Sequence, residues 1–284
     1  MSALTSVAPG ELYEIEISVQ SSVVPSVLDT FHGSTESGPI FRSRTTAMAY
    51  DKLAAELGFV VAYPSGYKGN WNDSRKAASY PAKMENIDDV GFTKSIIQYS
   101  SKMWSTCPQR TLIAGYSNGG HMCYRLALEL GSRYIAGVAI HCANLPTEDN
   151  SDCATRIGDA VPICIVNGTA DPVNPWSGGE VTLSHAPVSG GSVGSRGAHK
   201  SAVETADYFA GRFLDLGVEL DLEEIEDMEE VQDVRQFRNP LAGGEKKALV
   251  IGPRRGAVHA PREVIRFFAE NTMCFEDSYP DSDN

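Results

Sequence analysis

The chain has 284 residues, 42% apolar and 21% charged, with a net charge of −13. That length can bury a sizeable core in one large domain or two small ones, and the composition is that of a globular protein. The acidic balance argues against nucleic-acid phosphates and anionic lipid as partners, and no apolar run approaches a membrane span.

Met1 to Gly10 lacks the basic and apolar regions of a signal peptide. A cytoplasmic protein is therefore expected, with secretion left open should a leader be missing. Leu12 to Ser18 alternates apolar and charged residues, as an edge or antiparallel strand does. Val23 to Thr30 reads as a weaker strand leading into Phe31-His32-Gly33-Ser34. A helix over Thr45 to Leu57 closes at Gly58, and Phe59 to Tyr63 is an apolar strand stopped by Pro64-Ser65-Gly66. Asp88 to Ser101 reads as a helix capped by Asn86 or Asp88. Thr111 to Ala114 is a strand, Gly120 to Leu130 a helix closed by Gly131, and Ile135 to Ala143 a buried strand. Val161 to Asn167 is a strand and Lys200 to Leu216 a helix. Val218 to Asp221, Val231 to Arg238 and Lys246 to Ile251 read as strands, and Pro261 to Glu270 as the last helix.

Apolar strands alternating with helices indicate an α/β fold, a mostly parallel sheet covered on both faces. There is no internal repeat and no interdomain linker. Residues 1–275 read as a single domain, and the acidic tail 276–284 as disordered. The acidic run Glu219 to Glu230 lacks the glycine punctuation of a calcium loop and reads as solvated surface. The Gly/Ser-rich stretch Ser189 to Gly197 follows no apolar strand and reads as a surface loop rather than a phosphate cradle. Six cysteines show neither a C-x-x-C pair nor zinc spacing. Cys123 and Cys164 fall inside a predicted helix and strand, as buried thiols do. Reduced cysteines are the preferred reading, with a disulfide such as Cys142–Cys153 left open.

The chemistry concentrates at Gly115-Tyr116-Ser117-Asn118-Gly119, a G-x-S-x-G pattern set between a strand and a helix. The glycines permit a turn so sharp that the serine stands exposed at the strand's end. A plain glycine-rich turn with an idle serine would give the same letters. A serine nucleophile needs a general base, and the base needs an orienting carboxylate, each placed just after a strand. Asp171 follows the strand Val161 to Asn167 within Gly168-Thr169-Ala170-Asp171-Pro172, although a turn aspartate before proline has the same appearance. His259 lies between the strand Lys246 to Ile251 and the last helix. His185 and His199 lie in a polar loop, His141 in a buried strand, and His121 in the helix after the serine, where it reads as packing. Two N–H donors would stabilise an oxyanion: those of Asn118 and of Ser34, with Gly33 allowing close approach and His32 structural. Trp71 and Trp176 follow strand ends and read equally as substrate-binding or packing residues.

Together these residues resemble the α/β-hydrolase superfamily and, within it, the polyhydroxybutyrate depolymerase / feruloyl esterase family. The likeness rests on His32-Gly33, Leu53 to Gly66, Trp71-Asn72, Asp88-Asp89-Val90-Gly91-Phe92, Tyr116 to Gly120 and Asn167 to Val173, and runs from about Phe31 to Phe268. It implies the α/β-hydrolase fold and a serine carboxylic-ester hydrolase with Ser117, Asp171 and His259 as its triad. No metal or organic cofactor is implied; the partner is a small or polymeric ester. The loop Ser34 to Gly38 is poorer in glycine than the family's, and the segment around His259 lacks its usual Gly-Gly-His-x-Trp. Both departures bear on substrate more than on chemistry. A thioesterase or peptidase with the same triad, or a non-catalytic binding protein on this scaffold, remain open alternatives, as does the oligomeric state. The stretch Trp176 to Lys200 is the candidate lid.

Overall fold

A computed structural model describes residues 2–8, 11–16, 25–106, 108–153, 159–182, 195–214, 221–225, 231–239, 245–253 and 260–272. The strands β1 (Ser2–Ala8) and β2 (Glu11–Glu16) pair antiparallel as a separate two-stranded sheet. The central sheet is built from β3 (Val27–Phe31), β4 (Val60–Ala62), β5 (Thr111–Tyr116), β6 (Gly137–His141) and β7 (Ile163–Val166). A small antiparallel pair follows, β8 (Gly179–Thr182) with β9 (Ser195–His199). The central sheet is completed by β10 (Asp221–Ile225), β11 (Val231–Asn239) and β12 (Glu245–Pro253), in the order β10-β11-β12-β7-β6-β5-β3-β4. From β12 to β4 all neighbours are parallel; β10 and β11 join one edge antiparallel.

The helices are α1 (Gly38–Ile40), α2 (Ala49–Leu57), α3 (Pro81–Met84), α4 (Asp89–Trp104), α5 (Asn118–Glu129), α6 (Ala202–Leu214) and α7 (Ala260–Asn271). Successive strand residues point to opposite faces, so the apolar strands feed two cores. On one side Phe31, Ile113, Ile140 and Ile165 pack with Met122 and Leu126 of α5 and Phe209 of α6. On the other, Leu28, Leu112 and Val166 pack with Leu53 of α2 and Ile265 and Phe268 of α7. Each such side chain, fully enclosed, stabilises the fold by roughly 1.5–3 kcal/mol. Among the described residues no helix is long and apolar enough to cross a membrane.

Several expectations shift, each for a local reason. The helix expected from Thr45 begins at Ala49, because Ala47 and Met48 take positive φ (48° and 58°) and interrupt the turn that runs through Phe41–Thr45. It closes as expected at Gly58, whose φ is 75° and whose N–H reaches the Ala54 carbonyl. Asp88 is the cap of α4, its carboxylate accepting the Gly91 N–H at 2.8 Å. The acidic run contains an edge strand, Asp221–Ile225, rather than surface alone. Charged edges of this kind discourage pairing between molecules. The candidate lid includes β8 and β9, while residues 183–194 of it and the tail 276–284 lie outside the described residues.

One buried group is costly. Asp29, in the middle of β3 between Ala62 and Ile113, is wholly enclosed, and its carboxyl oxygens have no hydrogen-bond partner among the described residues. Burial pushes its pKa from 3.8 up to about 8. The unfolded chain releases this proton near pH 4, whereas the folded chain holds it to about pH 8. The stability associated with the protonated form is therefore full below pH 3.8 and lost as pH rises through 8. We expect the melting temperature to fall between pH 5 and 9, and Asp29→Asn to flatten that fall; an unchanged profile in the variant would contradict the assignment.

Candidate active site

The turn between β5 and α5 is strained. Ser117 takes φ 52° and ψ −114°, a region that side-chain-bearing residues rarely adopt. Its N–H donates to the His141 carbonyl at 2.9 Å, and its own carbonyl accepts the His121 N–H at 3.0 Å. The strain has a steric cause on both sides. A Cβ on Gly119 would lie 2.0 Å from the Phe31 carbonyl oxygen, and one on Gly115 would lie 2.3 Å from the Gly119 oxygen. The start of α5 is thus pressed onto the ends of β3 and β5, and Ser117, partly exposed, is left at the carboxyl edge of the sheet.

Asp171 reaches the same edge two strands over. In register, Tyr116 pairs with His141 and His141 with Val166, so the ends of β5, β6 and β7 lie side by side. One oxygen of the Asp171 carboxylate accepts the N–H groups of Val173 (2.8 Å) and Asn174 (3.0 Å), which sets the turn. Between Ser117 and Asp171 stands Cys142, left-handed at φ 53°, its thiol hydrogen-bonded to Asp171. Burial raises that thiol to about 12, with the Asp171 charge and bond adding to the shift. Tyr116, one of the few exposed large apolar side chains, is also raised, first by burial and then by Cys142, Asp171 and Glu36.

A third loop closes the edge. In the turn after β3 the Gly33 N–H donates to Glu36 at 3.1 Å and the Thr35 N–H to the Gly69 carbonyl at 2.8 Å, with Ser34 between them. His32 is buried; its Nε2 accepts the Gly66 N–H at 2.8 Å and its Nδ1 donates to the Gly33 carbonyl at 2.7 Å. That is the structural place expected for it.

Other expectations change. Trp71 presents no surface to a substrate: it is completely buried, edge-on to Phe31, and its indole N–H donates to the His32 carbonyl at 3.0 Å. Of the two tryptophans, only Trp176 keeps partial exposure; it packs against the core, and its carbonyl accepts the Ala202 N–H. His199 ends β9 rather than lying in a loop, and its ring lies tilted against that of the buried His121, centroids 5.0 Å apart. Burial, then the Arg75 guanidinium, lowers both, His199 to about 3. Cys142 and Cys153 carry no disulfide. His185 and His259 lie outside the described residues; in the chain, 254–259 join β12 to α7. Cys142 beside Asp171 was missed in the sequence, which placed it inside a strand over Ile135 to Ala143; the strand ends at His141, and Cys142 is the first residue past it.

Comparison with known proteins bears on this arrangement. Over 95% of this chain and 99% of the other, the structure aligns with the acetyl xylan esterase from Aspergillus awamori, at a TM-score of 0.59 and 12% identity. The fold is that of the α/β hydrolases. Residues 43–182 match the model of the dienelactone hydrolase family. The chain is also similar to “Putative esterase NocK” of Nocardia uniformis subsp. tsuyamanensis, 27% identical over 154 residues. That match takes in 54% of this chain and 42% of the relative, so the chain spans less than half of that protein's length.

The strain at Ser117 is measurable. Glycine tolerates its backbone at little cost, so Ser117→Gly should raise the melting temperature by a few degrees, for a gain of about 1 kcal/mol. Ser117→Ala keeps the Cβ and should not share the gain. Equal melting temperatures for the two variants would contradict a strained turn.

Proposed function

We propose that the protein is a serine carboxylic-ester hydrolase. The observation that carries this reading is Ser117 held at positive φ on the carboxyl edge of the sheet, with Asp171 on that same edge. The match to a hydrolase family and the similarity to a relative named as an esterase support it.

In this reading Ser117 Oγ attacks the ester carbonyl while His259 takes its proton. Asp171 orients the imidazole and supports its charge through the oxygen not committed to Val173 and Asn174. The N–H groups of Asn118 and Ser34 stabilise the tetrahedral oxyanion; the position of Asn118 at the start of α5 adds the positive end of the helix dipole. The choice of Ser34 rests on its neighbours, since the N–H groups of Gly33 and Thr35 already have carboxylate and carbonyl partners. His259 then protonates the leaving alcohol, and water repeats the sequence on the acyl-enzyme. The likeness of Asp88 to Phe92 and Tyr116 to Gly120 to feruloyl esterases and polyhydroxybutyrate depolymerases makes aromatic and hydroxyacyl esters the first substrates to try. Of Trp71 and Trp176, only Trp176 remains for contact with them.

A series of nitrophenyl esters from short to long acyl chains, with a feruloyl ester, tests the reading. Wild type should turn over at least one of them, and Ser117→Ala and His259→Ala should each lose that activity by at least about a thousandfold with the fold intact. Activity retained in either variant would overturn the triad.

A further inference from the structure

The segment Trp71 to Arg75 touches neither Ser117 nor Asp171 in any described contact, yet it is bonded to both loops that carry the proposed oxyanion donors. Its hold on the elbow runs through the Asn118 side chain. The Asn118 Oδ1 accepts the Trp71 N–H at 2.9 Å, and its Nδ2 donates to the Trp71 carbonyl at 3.3 Å and to the Asp73 carboxylate at 2.6 Å. Its hold on the other loop is the Trp71 indole N–H on the His32 carbonyl.

The segment is itself fixed. Asp73 and Arg75 form a buried pair, the guanidinium reaching both carboxylate oxygens. The Asp73 carbonyl accepts from Lys83 at 2.8 Å. From α4, Asp89 accepts the Asn72 N–H at 2.6 Å, and from α5, Arg125 donates to the Asn72 carbonyl at 2.9 Å. Asn118, Trp71, Asp73 and Arg75 are all at most 4% exposed. A buried ion pair is poor evidence for stability by itself, because desolvation offsets most of its attraction. It does fix geometry, since both Asp73 oxygens are held by the Arg75 side chain and one of them also accepts from Asn118.

We propose that Trp71 and Asp73 are positioning residues, which hold the Asn118 and Ser34 N–H groups at the separation an oxyanion needs. The proposal rests on the esterase reading above. A donor displaced by a fraction of an ångström still binds a neutral ester, but it stabilises the developing oxyanion less. Loss of the brace therefore lowers kcat and leaves KM nearly alone. Because one segment serves both donors, its two holds are coupled, and removing the second after the first costs less than removing it alone.

The test is a cycle of Asn118→Ala, which keeps the backbone N–H, and Trp71→Phe, which keeps the packing but loses the indole donor. Steady-state kinetics on the best nitrophenyl ester are measured below the melting temperature of each variant, with Ser117→Ala alongside. Each single variant should lose about 10- to 100-fold in kcat with KM within about twofold. The double variant should lose clearly less than the product of the two. A kcat within twofold of wild type in both singles, whatever their melting temperatures, would overturn the proposal while leaving the esterase reading standing. So would losses confined to KM, or fully multiplicative losses. Turnover by Ser117→Ala would instead sink the esterase reading, and the brace with it.

Discussion

The arrangement depends on one steric constraint: the first turn of α5 lies against the ends of β3 and β5 with no room for a side chain. At Gly119 a single carbon would overlap the Phe31 carbonyl, and at Gly115 it would overlap the backbone of Gly119 and the Cys123 sulfur. From this the rest follows. The helix can come that close only if the chain reverses within one residue, which puts Ser117 at positive φ. The same closeness brings Gly119 against the Phe31 and His32 carbonyls, at the entry to the loop of Gly33 and Ser34. Two segments from distant parts of the sequence thus meet at one edge.

Around that edge the molecule accepts several unfavourable terms. A left-handed serine and a left-handed cysteine each cost of order 1–3 kcal/mol. A buried arginine–aspartate pair, two adjacent buried histidines and a carboxyl inside β3 add desolvation. These terms are offset by two continuous apolar cores, one on each face of the sheet. Concentrating strain and buried polarity where geometry matters, and apolar packing elsewhere, is the usual division between site and scaffold.

Much of this was legible in the sequence. The parallel strands carry continuous apolar runs, such as Thr111-Leu112-Ile113-Ala114 and Ile163-Cys164-Ile165-Val166, because helices cover both faces. The turn at Ser117 and the loop of Asp171 could be read because each follows such a run directly. What escaped depends on contacts remote in sequence. Nothing local to Trp71 says that its ring is enclosed and its N–H spent on His32, thirty-nine residues away. Nothing local to Cys142 says that its thiol meets Asp171, since that contact exists only because β6 lies between β5 and β7. The strand expected at Val218 to Asp221 runs over Asp221–Ile225, displaced into the acidic run because charges mark an edge as readily as a loop. The late start of α2 turned on positive φ at Ala47 and Met48, residues with no strong preference for that region.

The central claim is that Ser117 is an activated nucleophile, and covalent labelling tests it most directly. The protein would be treated with a fluorophosphonate at neutral pH and the adduct located by peptide mass spectrometry. The account predicts stoichiometric modification of Ser117, abolished in Ser117→Ala and strongly slowed in His259→Ala. No adduct, or one on a different residue that persists in Ser117→Ala, would contradict it.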